Sequence, residues 1–182
     1  FSRIVVERAG LLFPRGGDVR VRYGYAHRQF QEYLAACALV ATDAAGLRER
    51  LLQGLNDSPG AWREVVRFSV PRLADTHGTD EAIALVRALL WSEDQRQDQP
   101  QEQSQDAAAT DAQLQAIAAA GLALDDLRRL LQHRSLAASQ QADLADAKAH
   151  FDRWYQRLAS EPALAPRTRL DLGRIAGRLG DP

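Results

Sequence analysis

The sequence predicts an all-α fold, an antiparallel helical bundle or arm with one small β-hairpin at its front. Three observations carry this. Apolar residues recur at steps of three and four through most of the 182 residues. Strand-like alternation is confined to a stretch ahead of residue 26. Helix-starting and helix-stopping residues divide the remainder into segments of ordinary helix length.

Taken in order, Ile4, Val5 and Val6 lead into Leu11, Leu12 and Phe13, and Asp18 to Tyr23 alternates polar and apolar. Between them, Pro14-Arg15-Gly16-Gly17 supplies the glycines that a tight turn needs, so residues 10–25 read as a hairpin. From Arg28 the period becomes helical. Phe30, Tyr33, Leu34, Cys37 and Ala41 fall along one side, which is expected to be the buried face, with Gln31 and Glu32 opposite. A helix with Leu47, Leu51, Leu52 and Leu55 follows. Ser58-Pro59 then opens another carrying Trp62, Val65, Val66, Ser69 and Leu73, with Ser58 as the cap and a kink or early stop expected at Pro71. Thr79-Asp80 begins a helix with Ile83, Val86, Leu89 and Leu90 that should finish near Trp91.

Composition then changes. Residues 92–109 are rich in Gln, Asp and Glu with almost no large apolar side chain, so they bury too little surface to offset their ordering entropy and read as a flexible linker or loop. After Thr110, Leu114, Ile117, Leu122, Leu124, Leu127, Leu130 and Leu131 suggest two short helices broken at Gly121. Residues 137–159 form the longest predicted helix, with Leu144, Ala147, Phe151, Trp154, Tyr155 and Leu158 on one side. Leu170, Leu172, Ile175 and Leu179 define a last helix ending at Gly180. The expected organisation is residues 1–27 as the hairpin region, 28–91 as a helical arm, 92–109 as the linker, and 110–182 as a second helical subdomain.

Charge and cysteine content narrow the function. Lys and Arg number 23 against 24 Asp and Glu, for a net charge of −1, so a nucleic-acid partner is not expected. A single Cys37 excludes an internal disulfide and any site of several thiolates, and points to a reducing, cytoplasmic setting. No apolar run reaches the ~20 residues that cross a bilayer. The chain opens inside an apolar run and contains no Met, which reads as a piece of a longer polypeptide.

One motif carries most of the information. Tyr23-Gly24-Tyr25-Ala26-His27-Arg28-Gln29-Phe30-Gln31-Glu32-Tyr33-Leu34-Ala35-Ala36 resembles the segment that closes the winged-helix part of NACHT-type STAND NTPases. Arg8-Ala9-Gly10-Leu11-Leu12 is similar to that family's turn into the hairpin, and Pro59-Gly60-Ala61-Trp62-Arg63-Glu64-Val65-Val66 to its step into the helical arm. The resemblance implies that residues 1–27 end a winged helix and that His27 contacts the β-phosphate of ADP in the full-length protein. It also implies that Phe30, Tyr33 and Leu34 are core residues, with Gln31 and Glu32 structural. An imidazole suits the task because it can donate to phosphate in either protonation state. The chain has no Gly-x-x-x-x-Gly-Lys-Ser/Thr loop, so no catalytic residue and no cofactor are assigned to it, and ATP or ADP with Mg would be held by an upstream nucleotide-binding domain. The expected role is non-catalytic and regulatory, in a bacterial defence or conflict system, with homo-oligomerisation on activation. Residues 166–182 look like the helix leading into formylglycine-generating-enzyme-type, C-type-lectin-like domains, which implies a downstream domain. The alternative is a free-standing helical scaffold for protein–protein interaction.

Rival constellations are weaker. Asp143, Asp146 and His150 share one side of a helix and could be weighed as metal ligands, but a solvated face is the simpler reading and no metal is assigned. His27 and Cys37 lie too far apart along a helix to act as base and nucleophile. Trp62, Trp91 and Trp154 read as core.

Overall fold

The computed structural model describes residues 12–15, 22–25, 27–42, 44–97, 111–160 and 164–180. Among these the protein is all-helical apart from two short strands, β1 (Leu12–Arg15) and β2 (Arg22–Tyr25), paired antiparallel with Leu12 opposite Tyr25. The proposed turn at Gly16-Gly17 and everything before Leu12 lie outside the described residues. Seven helices follow: α1 (Arg28–Thr42), α2 (Ala44–Asp57), α3 (Pro59–Thr76), α4 (Thr79–Gln97), α5 (Asp111–Leu131), α6 (Ala138–Ala159) and α7 (Pro166–Leu179).

Helix α5 is enclosed by the others and shows why. Leu114, Ile117, Ala118, Leu122, Leu124 and Leu127 are buried in every direction around its axis, and a helix apolar all round must sit inside. Its Ala116, Ala119, Ala120 and Ala123 are also buried, and small side chains let neighbouring helices approach. It packs most extensively on α3, whose Val65, Val66, Ser69, Val70 and Leu73 face the same interior, and it also touches α2, α4, α6 and α7. Residues on both sides of the glutamine-rich segment therefore share one hydrophobic core.

Several sequence expectations need correction. Gly121 does not break a helix: α5 runs through it, and the glycine answers to close packing, since a Cβ there would stand 2.4 Å from Phe151 Cε2 and 2.9 Å from Ile175 Cγ2. Glycine is what allows α6 and α7 to close onto α5 at this point. Pro71 does not end α3, which continues to Thr76; the ring costs one backbone hydrogen bond, and burial of Val70, Leu73 and Ala74 outweighs it. Ser58 occupies the cap position of α3 without a side-chain cap bond, while Pro59 takes the first turn as expected. Helix α4 extends past Trp91 to Gln97, and residues 98–110 lie outside the described residues. Leu170, one of the apolar residues that mark out α7 in the sequence, is 55% exposed. The end of α7 is as anticipated, with Gly180 at φ 79° in the left-handed region.

Ion pairs tie the helices outside the core. Asp126 on α5 receives Arg67 Nε of α3 at 2.5 Å and Arg67 Nη2 at 3.4 Å. Asp126 and burial act oppositely on the guanidinium, and the hydrogen bond dominates, holding Arg67 protonated above its ordinary value. Arg128 donates to the Leu179 carbonyl at 2.7 Å, securing the end of α7 to α5.

Gly121→Ala is expected to destabilise the fold by about 1–3 kcal/mol through overpacking against Phe151. Denaturant unfolding measures this, and an unchanged midpoint would contradict the close approach.

Candidate functional site

The resemblance motif lies where β2 passes into α1. His27 sits at the bend immediately before α1, and its side chain is exposed. It stands beside Phe30, with ring centroids 6.1 Å apart and planes inclined by 49°. Phe30, Tyr33 and Leu34 are 41%, 45% and 45% exposed, so the expected burial of this face is not met among the described residues. The buried residues of α1 are instead Glu32, Ala36 and Val40, at i, i+4 and i+8.

The reason is that α1 is apolar over more than half its circumference and therefore has two faces to cover. The face carrying Ala36 and Val40 is slim and lies closely on α3. The bulky face carrying Phe30 and Leu34 points away. Glu32, the polar member of the buried face, is neutralised locally: Arg28 Nε donates to its Oε1 at 2.6 Å, and Arg28 Nη2 reaches the Gly60 carbonyl at 3.1 Å. One arginine thus fixes the start of α1 to the start of α3, so the direction in which His27 leaves the bundle is set by Arg28 and Glu32. Gln31 is exposed.

Tyr33 bridges the two faces. Its ring meets Phe68 of α3 edge-on, at 5.8 Å and 86°. Interaction with Cys37, one turn on, is the first of the causes that push the Tyr33 phenol above its ordinary value; burial and the charge of Asp75 act the same way, and Arg72 opposes them. Cys37 is half-buried on the same side. His27 lies at the opposite end of α1's first turns, and the two do not form a nucleophile and base.

The second constellation is Asp143, Asp146 and His150 on α6. Asp143 and Asp146 converge on a cation that the protein itself supplies: Arg87 of α4 reaches Asp143 Oδ1 at 2.6 Å and Asp146 Oδ2 at 3.5 Å. The Arg87 guanidinium also lies 5.4 Å from the ring centre of Trp91. Trp91 in turn stacks on His150 with centroids 4.0 Å apart and planes inclined by 16°. His150 is buried, which corrects the reading of this side as solvated. Its Nδ1 lies 3.0 Å from Arg153 Nη2; a guanidinium can only donate, so Nδ1 accepts and is unprotonated. Arg87, Trp91, His150, Asp143 and Asp146 form a clamp between α4 and α6. Among the described residues no group of three or more His, Cys, Asp or Glu side chains is arranged to hold a metal ion.

Of the tryptophans, Trp154 is buried and Trp62 and Trp91 are half-buried against the core. No described helix is long and apolar enough to cross a membrane. Comparison with protein-family models, with curated proteins and with solved structures finds no match to this chain.

Two outcomes are expected here. Absorbance titration of tyrosinate should show the Tyr33 ionisation falling towards the ordinary value of about 10 in Cys37→Ala; a titration insensitive to Cys37 would contradict the pairing. A double-mutant cycle of Trp91→Ala and His150→Ala should give a coupling of about 0.5–1.5 kcal/mol in unfolding free energy, whereas strict additivity would mean the stack contributes nothing of its own.

Proposed function

We propose that this chain is a non-catalytic regulatory segment of a NACHT-type STAND ATPase in a bacterial defence or conflict system, coupling nucleotide state to partner sensing and oligomerisation. In this reading residues 1–27 end a winged helix, and His27 faces the phosphates of ADP held by an upstream domain of the same cytoplasmic polypeptide. The observation that carries it is the division of the motif in two: Arg28 and Ala36 anchor α1 to α3, while His27, Phe30 and Leu34 face outward and Tyr33 is half-exposed beside them. An apolar face of this breadth beside an exposed imidazole is what a domain interface around an anion requires. The aromatic and leucine side chains exclude water, and the imidazole donates an N–H to the phosphate.

The switch follows from that geometry. Nucleotide that engages His27 favours the arrangement in which the α1 face is covered, and loss of that contact frees both the face and the helical arm. The bundle behind α1 transmits the change as one body, because α3 and α5 share a core. The shared core also favours the second reading, a free-standing scaffold whose α1 face binds another protein, since a self-sufficient interior needs no neighbour to hold it.

His27→Ala in the full-length ATPase is expected to speed ADP release about tenfold or more, the loss of one hydrogen bond to a charged group, and to raise basal activation. Release measured with a fluorescent ADP tests this. Unchanged release, with partner binding through α1 intact, would leave the scaffold reading standing.

A further inference from the structure

The outward side of α7 has an arrangement that the chain's own packing does not explain. Leu172, Ile175, Ala176 and Leu179 bury the inner side. On the opposite meridian lie Pro166, Leu170, Gly173 and Gly177, at i, i+4, i+7 and i+11, so this line is apolar or has no side chain at all. Leu170 is 55% exposed, and a shallow groove of about 480 Å³ runs along Pro166, Arg169, Leu170, Gly173 and Arg174. Arg167, Arg174 and Arg178 form a row on one flank at i, i+7 and i+11, with Arg169 on the other. Asp171 is the one acidic residue of the helix, and it is shared between Arg63 at 3.6 Å and Arg174 at 3.8 Å. The face is strongly basic on a chain whose net charge is −1.

The glycines are informative because they are not needed internally. A Cβ at Gly177 would meet nothing within 4 Å, and one at Gly173 would make only an ordinary 3.6 Å contact with the Tyr155 hydroxyl. Alanine would fit both places and favour the helix, so the flat meridian is kept at a cost in helix propensity. Flatness is useful where another backbone lies close by.

We propose that this outward face of α7 is a docking surface for an acidic amphipathic helix of a partner protein. Apolar side chains of that helix seat on Leu170 and over Gly173 and Gly177, and its carboxylates pair with the row of Arg167, Arg174 and Arg178. Charge complementarity selects this occupant. A nucleic acid would leave the exposed leucine floor unused, and an anionic membrane would call for the apolar side of α7, which is committed to the core. The inference does not depend on the reading of His27.

The test is fluorescence anisotropy of the full chain with a synthetic helical peptide bearing leucines along one face and glutamates at i, i+7 and i+11 beside them, against the same peptide bearing lysines. The glutamate peptide is expected to bind at least about tenfold more tightly. Arg174→Glu with Arg178→Glu should reverse the preference, and Gly177→Leu should abolish binding while the thermal midpoint stays near that of the parent. Equal affinity for the two peptides would overturn the proposal. So would full binding by Gly177→Leu, or a preference for duplex RNA or anionic vesicles over the glutamate peptide.

Discussion

The packing of α3 on α5 is the constraint from which the remaining arrangement follows. Two helices with buried valines on one and buried alanines on the other can lie close, and each of the other five helices packs on at least one of them. Close packing of this kind tolerates little change in volume. Gly121 and the alanines around it are therefore as important to the fold as the leucines. Arg67 and Asp126 mark the edge of the same contact, where a charge pair is partly shielded from water and its two hydrogen bonds fix the relative rotation of the helices.

A second consequence concerns α1. Helix α1 docks on α3 through its slim side, with Ala36 and Val40 buried, and keeps Phe30 and Leu34 outward. Hydrophobicity alone does not set this orientation, since Phe30 and Leu34 are more apolar than the Ala36 buried in their place. A helix with two apolar faces joins two bodies. In the proposed function the second body is a nucleotide-binding domain, and the imidazole of His27 stands at the edge of that joint.

Much of the helical frame was legible in the sequence, because period and punctuation are local. The predicted face of α6 agrees closely with what is buried, from Leu144 through Leu158, and three of the four apolar residues that mark out the last helix, Leu172, Ile175 and Leu179, are buried, while Leu170 is exposed. What failed depended on partners distant in the chain. Gly121 looks like a breaker until Phe151 and Ile175 are brought against it. Phe30, Tyr33 and Leu34 look like core because pattern cannot tell which of two apolar faces a neighbour will take. His150 looked solvated because nothing local shows Trp91 arriving from α4 to stack on it. A signal was present, in that Arg87 and Trp91 stand at i and i+4 on one helix and Asp143, Asp146 and His150 at i, i+3 and i+7 on another. Only the pairing of α4 with α6 converts those two stripes into one clamp.

What covers α1 decides between the two readings of its outward face. A structure of the full-length protein with ADP bound is the decisive measurement. It should find the His27 imidazole within hydrogen-bonding distance of a phosphate oxygen, and Phe30, Tyr33 and Leu34 buried against a neighbouring domain. His27 turned to solvent with that face still open would contradict it.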